Sequence, residues 1–279
     1  MPYALMEDAT SLYYEITGQG TPIVFVHPPI MGHMVFKHQK RLTRDFQPIL
    51  YDLRGHGRSS TGEVPLSIEL LAKDIKCLLD ELNIPKAVIC GFSNGGTIAQ
   101  EFALLYPERT EALILSGGYS RVDSFNLKSM LRFGIAMAKI RKLPIVAKMQ
   151  AKSHKYFKDD ENDFYQYGKL ANSQSVYEFC KAGLYYNSTP SLYRLDMPVL
   201  LVYGSQEKTM HHYRLPFLQH AADVRVVYIE GASHEVPPRH FPEFNQVVHH
   251  FLQTYKETQT VPTIQFLPHQ LAGASPALD

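Results

Sequence analysis

The sequence predicts an α/β fold: a mostly parallel central sheet with helices on both faces and a helical cap. Three observations carry this. Short apolar runs rich in Val and Ile alternate with segments of helical period along most of the chain. The runs are apolar throughout rather than at every second residue, the pattern of parallel strands covered on both sides. The alternation breaks once, between about Arg121 and Asp196, where only helical pieces occur. A chain of 279 residues is long enough to bury one full core and carry an insertion of this kind.

The elements follow in order. "TSLYYEITGQG" (10–20) alternates and ends in Gly-rich turn chemistry, which predicts an antiparallel edge hairpin. "PIVFVH" (22–27) and "QPILYD" (47–52) are the first buried strands. "PLSIELLAKDIKCLLDEL" (65–82) is a helix with Ile68, Leu71, Ile75, Leu78 and Leu82 on one face; Ser67 caps it, and Asn83 and Pro85 stop it. "KAVICGF" (86–92) is the next strand, and the segment after Ser93 carries Ile98, Phe102 and Leu105 at helical spacing up to Tyr106, before Pro107. "EALILSG" (111–117) precedes the break, in which "SMLRFGIAMAKI" and "SVYEFCKAGLYY" are helical; an insertion of this length is a cap rather than a loop. "PVLLVYG" (198–204) and "VRVVYIEG" (224–231) resume the sheet, and "FPEFNQVVHHFLQTYK" (241–256) closes it. The expected organisation is a core of residues 1–120 and 197–256, a cap of 121–196, and a loosely attached tail of 257–279 rich in Pro, Ala and Gly.

Composition excludes several classes of function. Net charge is +1, with Lys+Arg 28 against Asp+Glu 27, so no nucleic acid is expected as partner. No apolar run approaches the roughly 18 residues that span a bilayer, so no stable membrane insertion is expected. The start, "MPYALMEDATSLYYE", lacks a basic region followed by an apolar one, and a cytoplasmic location is the expectation. Cys77, Cys90 and Cys180 are too widely spaced for a disulfide framework or a metal knuckle, and Cys90 reads as a small buried hydrophobe. His211-His212 and His249-His250 are adjacent pairs that diverge on a helix, so neither a metal nor a cofactor is expected.

One short motif carries chemistry. Gly91-Phe92-Ser93-Asn94-Gly95 is G-x-S-x-G, a pattern that arises by chance in about one chain in ten of this length. Its setting sharpens it, because an apolar strand precedes it and a helix begins within it. A strand that turns straight into a helix holds the middle residue in strained backbone and lifts its side chain clear. The helix N-terminus then favours negative charge developing beside it. His234, in "EGASHEVPP" just past the last strand, lies at the sheet edge where Ser93 emerges, and is the candidate base. Glu207 follows the preceding strand at a Gly-Ser turn and is the candidate acid; Asp123, after "EALILSGG", is the alternative.

With these residues in place the chain resembles the α/β-hydrolase superfamily over about residues 1–256, in its serine esterase and lipase-like branch. "VFVHPPIMGH" (24–33) is similar to the family's His-Gly oxyanion loop, "YDLRGHGRSS" (51–60) to its Asp-x-Arg-Gly-x-Gly-x-Ser segment, and "GASHEVP" to its histidine turn. The resemblance implies Ser93 as nucleophile, His234 as base, Glu207 as acid and the Asn94 N–H as one oxyanion donor. The chain departs from the family at Pro28 and Pro29, which have no N–H to give, so the second donor is expected from Ile30. Asp52, Arg54, Gly55 and Gly57 are expected to maintain loop architecture. The dehalogenase and epoxide hydrolase branches carry aspartate in place of the serine, and proline iminopeptidases carry a Trp that this chain lacks. Hydrolysis of a small carboxylic ester is the implied activity. Two alternatives stay open: a monoacylglycerol or lysophospholipid lipase whose cap faces lipid, and a non-catalytic small-molecule receptor. The cap bears on the first, since nine basic residues and no acidic one lie between Ser124 and Lys158, either on a lipid-facing lid or on a solvated surface.

Overall fold

The computed structural model describes residues 2–255 and the backbone of 263–267. Nine strands form one sheet: β1 (Tyr3–Leu5), β2 (Ser11–Ile16), β3 (Thr21–Val26), β4 (Phe46–Tyr51), β5 (Ala87–Phe92), β6 (Thr110–Ser116), β7 (Val199–Gly204), β8 (Val224–Ile229) and β9 (Thr263–Leu267). Their order is β1-β2-β4-β3-β5-β6-β7-β8-β9, antiparallel at β1–β2 and β2–β4 and parallel elsewhere. The helices are α1 (Ile68–Glu81), α2 (Gly95–Leu105), α3 (Phe125–Lys139), α4 (Leu143–His154), α5 (Asp160–Gly168), α6 (Ser173–Tyr185), α7 (Arg214–His220), α8 (Val236–Arg239) and α9 (Phe241–Thr254).

The continuous apolar runs are explained by two cores, one on each side of the sheet. Val24, Val26, Ile89, Leu113 and Leu115 point to the side covered by α1 and α2. Their neighbours Ile23, Phe25, Val88, Cys90 and Ile114 point to the side covered by α9 and the 3-10 segment Gly32–Arg44. Successive strand residues alternate sides, so a strand buried on both is apolar at every position. Ser67 caps α1 by accepting from the Leu70 N–H at 3.0 Å, and Asn83 leaves the helix at φ 55°. Cys90 is sealed in the second core, where burial pushes its thiol pKa far up.

Two expectations are corrected and one element is added. The edge hairpin is β1 with β2; the Gly-rich end of β2 leads to β3, whose neighbours are β4 and β5. The stretch Gly32–Arg44, to which the sequence assigns no element, is 3-10 helical in two pieces joined at a kink at Phe36. The tail expected over 257–279 contains β9, parallel to β8 in the register Arg225↔Thr263 to Ile229↔Leu267. The rest of that tail lies outside the described residues.

The cap is α3 to α6, with α3 packed on α6 and α4 on α5. It leaves the sheet after β6 and returns to β7, its neighbour in the sheet. Its two ends meet: Arg121 pairs with Asn187, and the Ser188 N–H donates to Ser120 O at 2.8 Å. Buried contacts fasten it to the core. The Tyr167 hydroxyl donates to Asp52 Oδ2 at 2.7 Å, and Asp160 accepts from Lys37 Nζ and His38 Nε2, both at 2.9 Å. The Asn172 N–H donates to Gly55 O at 2.8 Å. The "DLRGHGRSS" loop is therefore architectural, as expected: Asp52 also accepts from the His33 N–H, and Arg54 grips Asp74 of α1 through two hydrogen bonds of 2.7 Å. No helix among the described residues is long and apolar enough to cross a membrane.

Candidate active site

Ser93 sits between β5 and α2 at φ 52°, a left-handed conformation that a serine adopts only under constraint. Two contacts supply the constraint. The Ser93 N–H donates to Ser116 O at 2.8 Å, and α2 rises so close to β5 that a Cβ on Gly91 would lie 2.6 Å from Gly96 Cα. Across the turn, a Cβ on Gly95 would lie 2.3 Å from Val26 O, so glycine there lets the helix start against the end of β3.

His234 and Glu207 reach the serine from the loops after β8 and β7. Those loops are tied together: the Gln206 N–H donates to Ala232 O at 2.9 Å, and the Gly231 N–H to Ser205 Oγ at 3.0 Å. His234 Nε2 lies 2.9 Å from Ser93 Oγ, and its Nδ1 lies 2.8 Å from Glu207 Oε2. A carboxylate only accepts, so Nδ1 carries the proton and donates it, which leaves Nε2 free to accept from the serine hydroxyl. Burial by itself lowers the His234 pKa, but the hydrogen bond and charge of Glu207, helped by Glu235, outweigh it and leave the imidazole above its ordinary value. Asp123 does not take part. Its Oδ1 accepts from His212 Nε2 at 3.0 Å, near the base of α3.

The remaining predicted residues, Asn94 and Ile30, flank Ser93 in different ways. Asn94 begins α2, and its side chain turns to the cap: Oδ1 accepts from the Tyr119 hydroxyl at 2.6 Å and Nδ2 donates to Phe179 O of α6 at 3.3 Å. Ile30 has φ 88°, an outlier for a β-branched residue, and its side chain is buried with Val146, Ala147 and Val176 of the cap. Among the described residues, neither the Ile30 N–H nor the Asn94 N–H donates a hydrogen bond. Ahead of Ile30, His27 is fully buried with its pKa pushed down to about 3, chiefly by burial and then by His56. Its Nδ1 donates to Pro28 O at 2.8 Å and its Nε2 accepts from the Leu53 N–H at 2.9 Å, which fixes one neutral tautomer under the loop.

Two neighbours of the site were not predicted. Tyr119, which holds Asn94, lies in a Gly-Gly-Tyr stretch after β6 that has no distinguishing pattern. His154, at the end of α4, sets its ring 6.1 Å from Phe92, which in turn lies 5.4 Å from His234. Burial pushes the His154 pKa down to about 4 against the pull of Glu235, so the ring is neutral, with Nδ1 donating to Gln150 O at 2.8 Å. Its Nε2 makes no hydrogen bond among the described residues. No spacing within the cap sequence signals that this histidine reaches the serine's neighbour. Among the described residues no cluster of His, Cys, Asp and Glu is arranged to hold a metal.

Comparison with known proteins agrees with the fold. The family model of the alpha/beta hydrolase fold matches residues 21–240. A putative carbamate hydrolase RutD of Azorhizobium caulinodans is 40% identical over 126 residues, which are 45% of this chain and 47% of that protein. The 3-oxoadipate enol-lactonase 2 of Acinetobacter baylyi is 28% identical over 172 residues, 57% of this chain and 61% of that protein. The chain thus spans only about half the length of the curated relatives it matches. In three dimensions, an esterase from Exiguobacterium antarcticum superimposes with a TM-score of 0.81 at 20% identity, over 90% of this chain and 99% of that one. At that identity the likeness is one of fold.

Proposed function

The chain belongs to the alpha/beta hydrolase fold family, and from that premise we propose that it is a serine hydrolase cleaving small carboxylic esters through an acyl-enzyme intermediate. The observation that carries the reading is the unbroken hydrogen-bonded series Ser93 Oγ, His234 Nε2, His234 Nδ1, Glu207 Oε2, with steps of 2.9 and 2.8 Å. In this reading Ser93 Oγ attacks the acyl carbon while its proton passes to His234 Nε2. The carbonyl oxygen becomes an oxyanion, met by the unspent N–H groups of Asn94 and Ile30 and by the N-terminus of α2. Collapse expels the alcohol, which leaves with the proton from His234. Water then gives a proton to the same nitrogen and attacks the acyl-serine, and Ser93 departs reprotonated. Glu207 stabilises the imidazolium formed at each step. The names of the relatives, a putative carbamate hydrolase and an enol-lactonase, both describe attack of water on an acyl carbonyl and support the same reading.

The test is hydrolysis of p-nitrophenyl esters of increasing chain length. The short esters are expected to turn over fastest, and Ser93→Ala is expected to reduce kcat by about 10⁴-fold or more without loss of fold. A purified Ser93→Ala protein that keeps more than a few per cent of wild-type turnover overturns the assignment. A fluorophosphonate should add its mass to the peptide containing Ser93 and not to the variant.

A further inference from the structure

The outer face of the cap carries side chains that a solvated helix pair does not need. On α3, Met130 and Phe133 are exposed, and Ile140 at its end is 61% exposed; on α4, Ile145 and Met149 project, the latter 57% exposed. Phe125, the first residue of α3, is 80% exposed. Met130 and Phe133 are three residues apart, and Ile145 and Met149 four, so on each helix the apolar tips share a side. Basic residues lie among them: Lys128, Arg132, Lys139, Arg141, Lys142, Lys148 and Lys152. Between Ser124 and Lys158 the sequence holds nine basic residues and no acidic one, and among the described residues only Lys155 forms an ion pair, with Glu161. A hollow of about 390 Å³ opens beside α4, lined by Pro144, Ile145, Met149, Lys148 and Lys152 of that helix and Tyr165 of α5.

The charge decides what fits. A second copy of the same face would set two surfaces of net basic charge against each other, Glu161 answering only part of it. An acidic protein would answer the lysines but leave the flexible apolar tips without a matched pocket. A bilayer interface takes both at once: apolar tips enter the boundary between headgroups and acyl chains, and lysine and arginine stems reach back to the phosphates. We propose that the α3–α4 face of the cap seats peripherally on anionic lipid bilayers. The net charge of +1 does not oppose this, because the basic excess is local to the cap.

The full chain is sedimented with vesicles of phosphatidylcholine alone and of phosphatidylcholine with phosphatidylserine, at low and high salt. Binding is expected to the mixed vesicles only, and to fall as salt rises. Each basic residue at an anionic surface multiplies partitioning about fivefold, so Lys148→Glu with Lys152→Glu should lower it more than about tenfold. Ile140→Ser with Met149→Ser should lower it as well, while Lys73→Glu with Lys76→Glu, on α1, should leave it unchanged. An unaltered melting transition in each variant shows that the fold is kept. The proposal is overturned if the chain binds neither vesicle, if it binds both equally, or if the two apolar substitutions leave binding unchanged. It is also overturned if soluble polyglutamate retains the chain as strongly as the vesicles do.

Discussion

At the scale of single residues, the protonation of His234 offers the sharpest test. The imidazole must be neutral to accept the Ser93 proton, so activity is lost as pH falls through its raised pKa. Glu207→Gln removes the main influence holding that value up. The acid limb of the kcat/KM profile should then move to lower pH, while kcat drops by about 10² to 10⁴-fold. A residue that merely shaped the turn would lower activity without moving the limb. Asp123→Asn should leave both rate and profile at wild type, because its partner is His212. Ser93, Glu207 and His234 were legible in the sequence because each follows a strand whose end the α/β pattern already placed at one edge. Tyr119 and His154 were not, since they reach the site through Asn94 and Phe92 from segments whose spacing encodes only helix or turn.

At the scale of elements, the fastening of the cap is the feature with measurable consequences. Asp160 is buried, yet Lys37 and His38 overcome its burial and hold its pKa down at about 2. A carboxyl whose folded pKa is depressed stabilises the fold above its unfolded value, near 3.8, and loses that contribution as pH falls from there toward about 2. Asp160→Asn should therefore lower stability at neutral pH, on the order of 3 kcal/mol for a broken buried ion pair, and flatten the loss between about pH 4 and 2. Urea titrations at several pH values measure both. Tyr167→Phe, which takes one donor from buried Asp52, should cost about 1–2 kcal/mol. The helical character of the cap was legible from its period. The 3-10 segment was not, because its buried face includes His33, His38 and Gln39, polar residues that a hydrophobic period does not register. β1 and β9 escaped for a related reason: each lies at an end of the sheet, too short or too polar to show the continuous apolar run of a strand buried on both sides.

For the molecule as a whole, the sheet order explains what each end of the chain protects. A chain ending at residue 258 would leave β8 as a bare edge, and it should self-associate at micromolar concentration, seen as increased light scattering, where the full chain does not. Strand identity and parallel sense were legible in the sequence, but the interleaving of β4 between β2 and β3 was not, because pairing partners far apart in sequence leave no local pattern. The neck of the cap has a different kind of consequence. Because its two ends meet at Ser120 and Ser188, between strands that are already neighbours, the sheet does not depend on what lies between them. The insert is a cassette on a closed hinge-point, replaceable over generations by one of another length or surface. The Ser93, His234 and Glu207 set belongs to the frame, whereas Asn94 and Ile30 beside it touch the cap and would feel such an exchange. A change in the insert would thus alter what the protein admits or rests against without disturbing the frame only where its contacts with Asn94, Ile30 and Asp52 were kept.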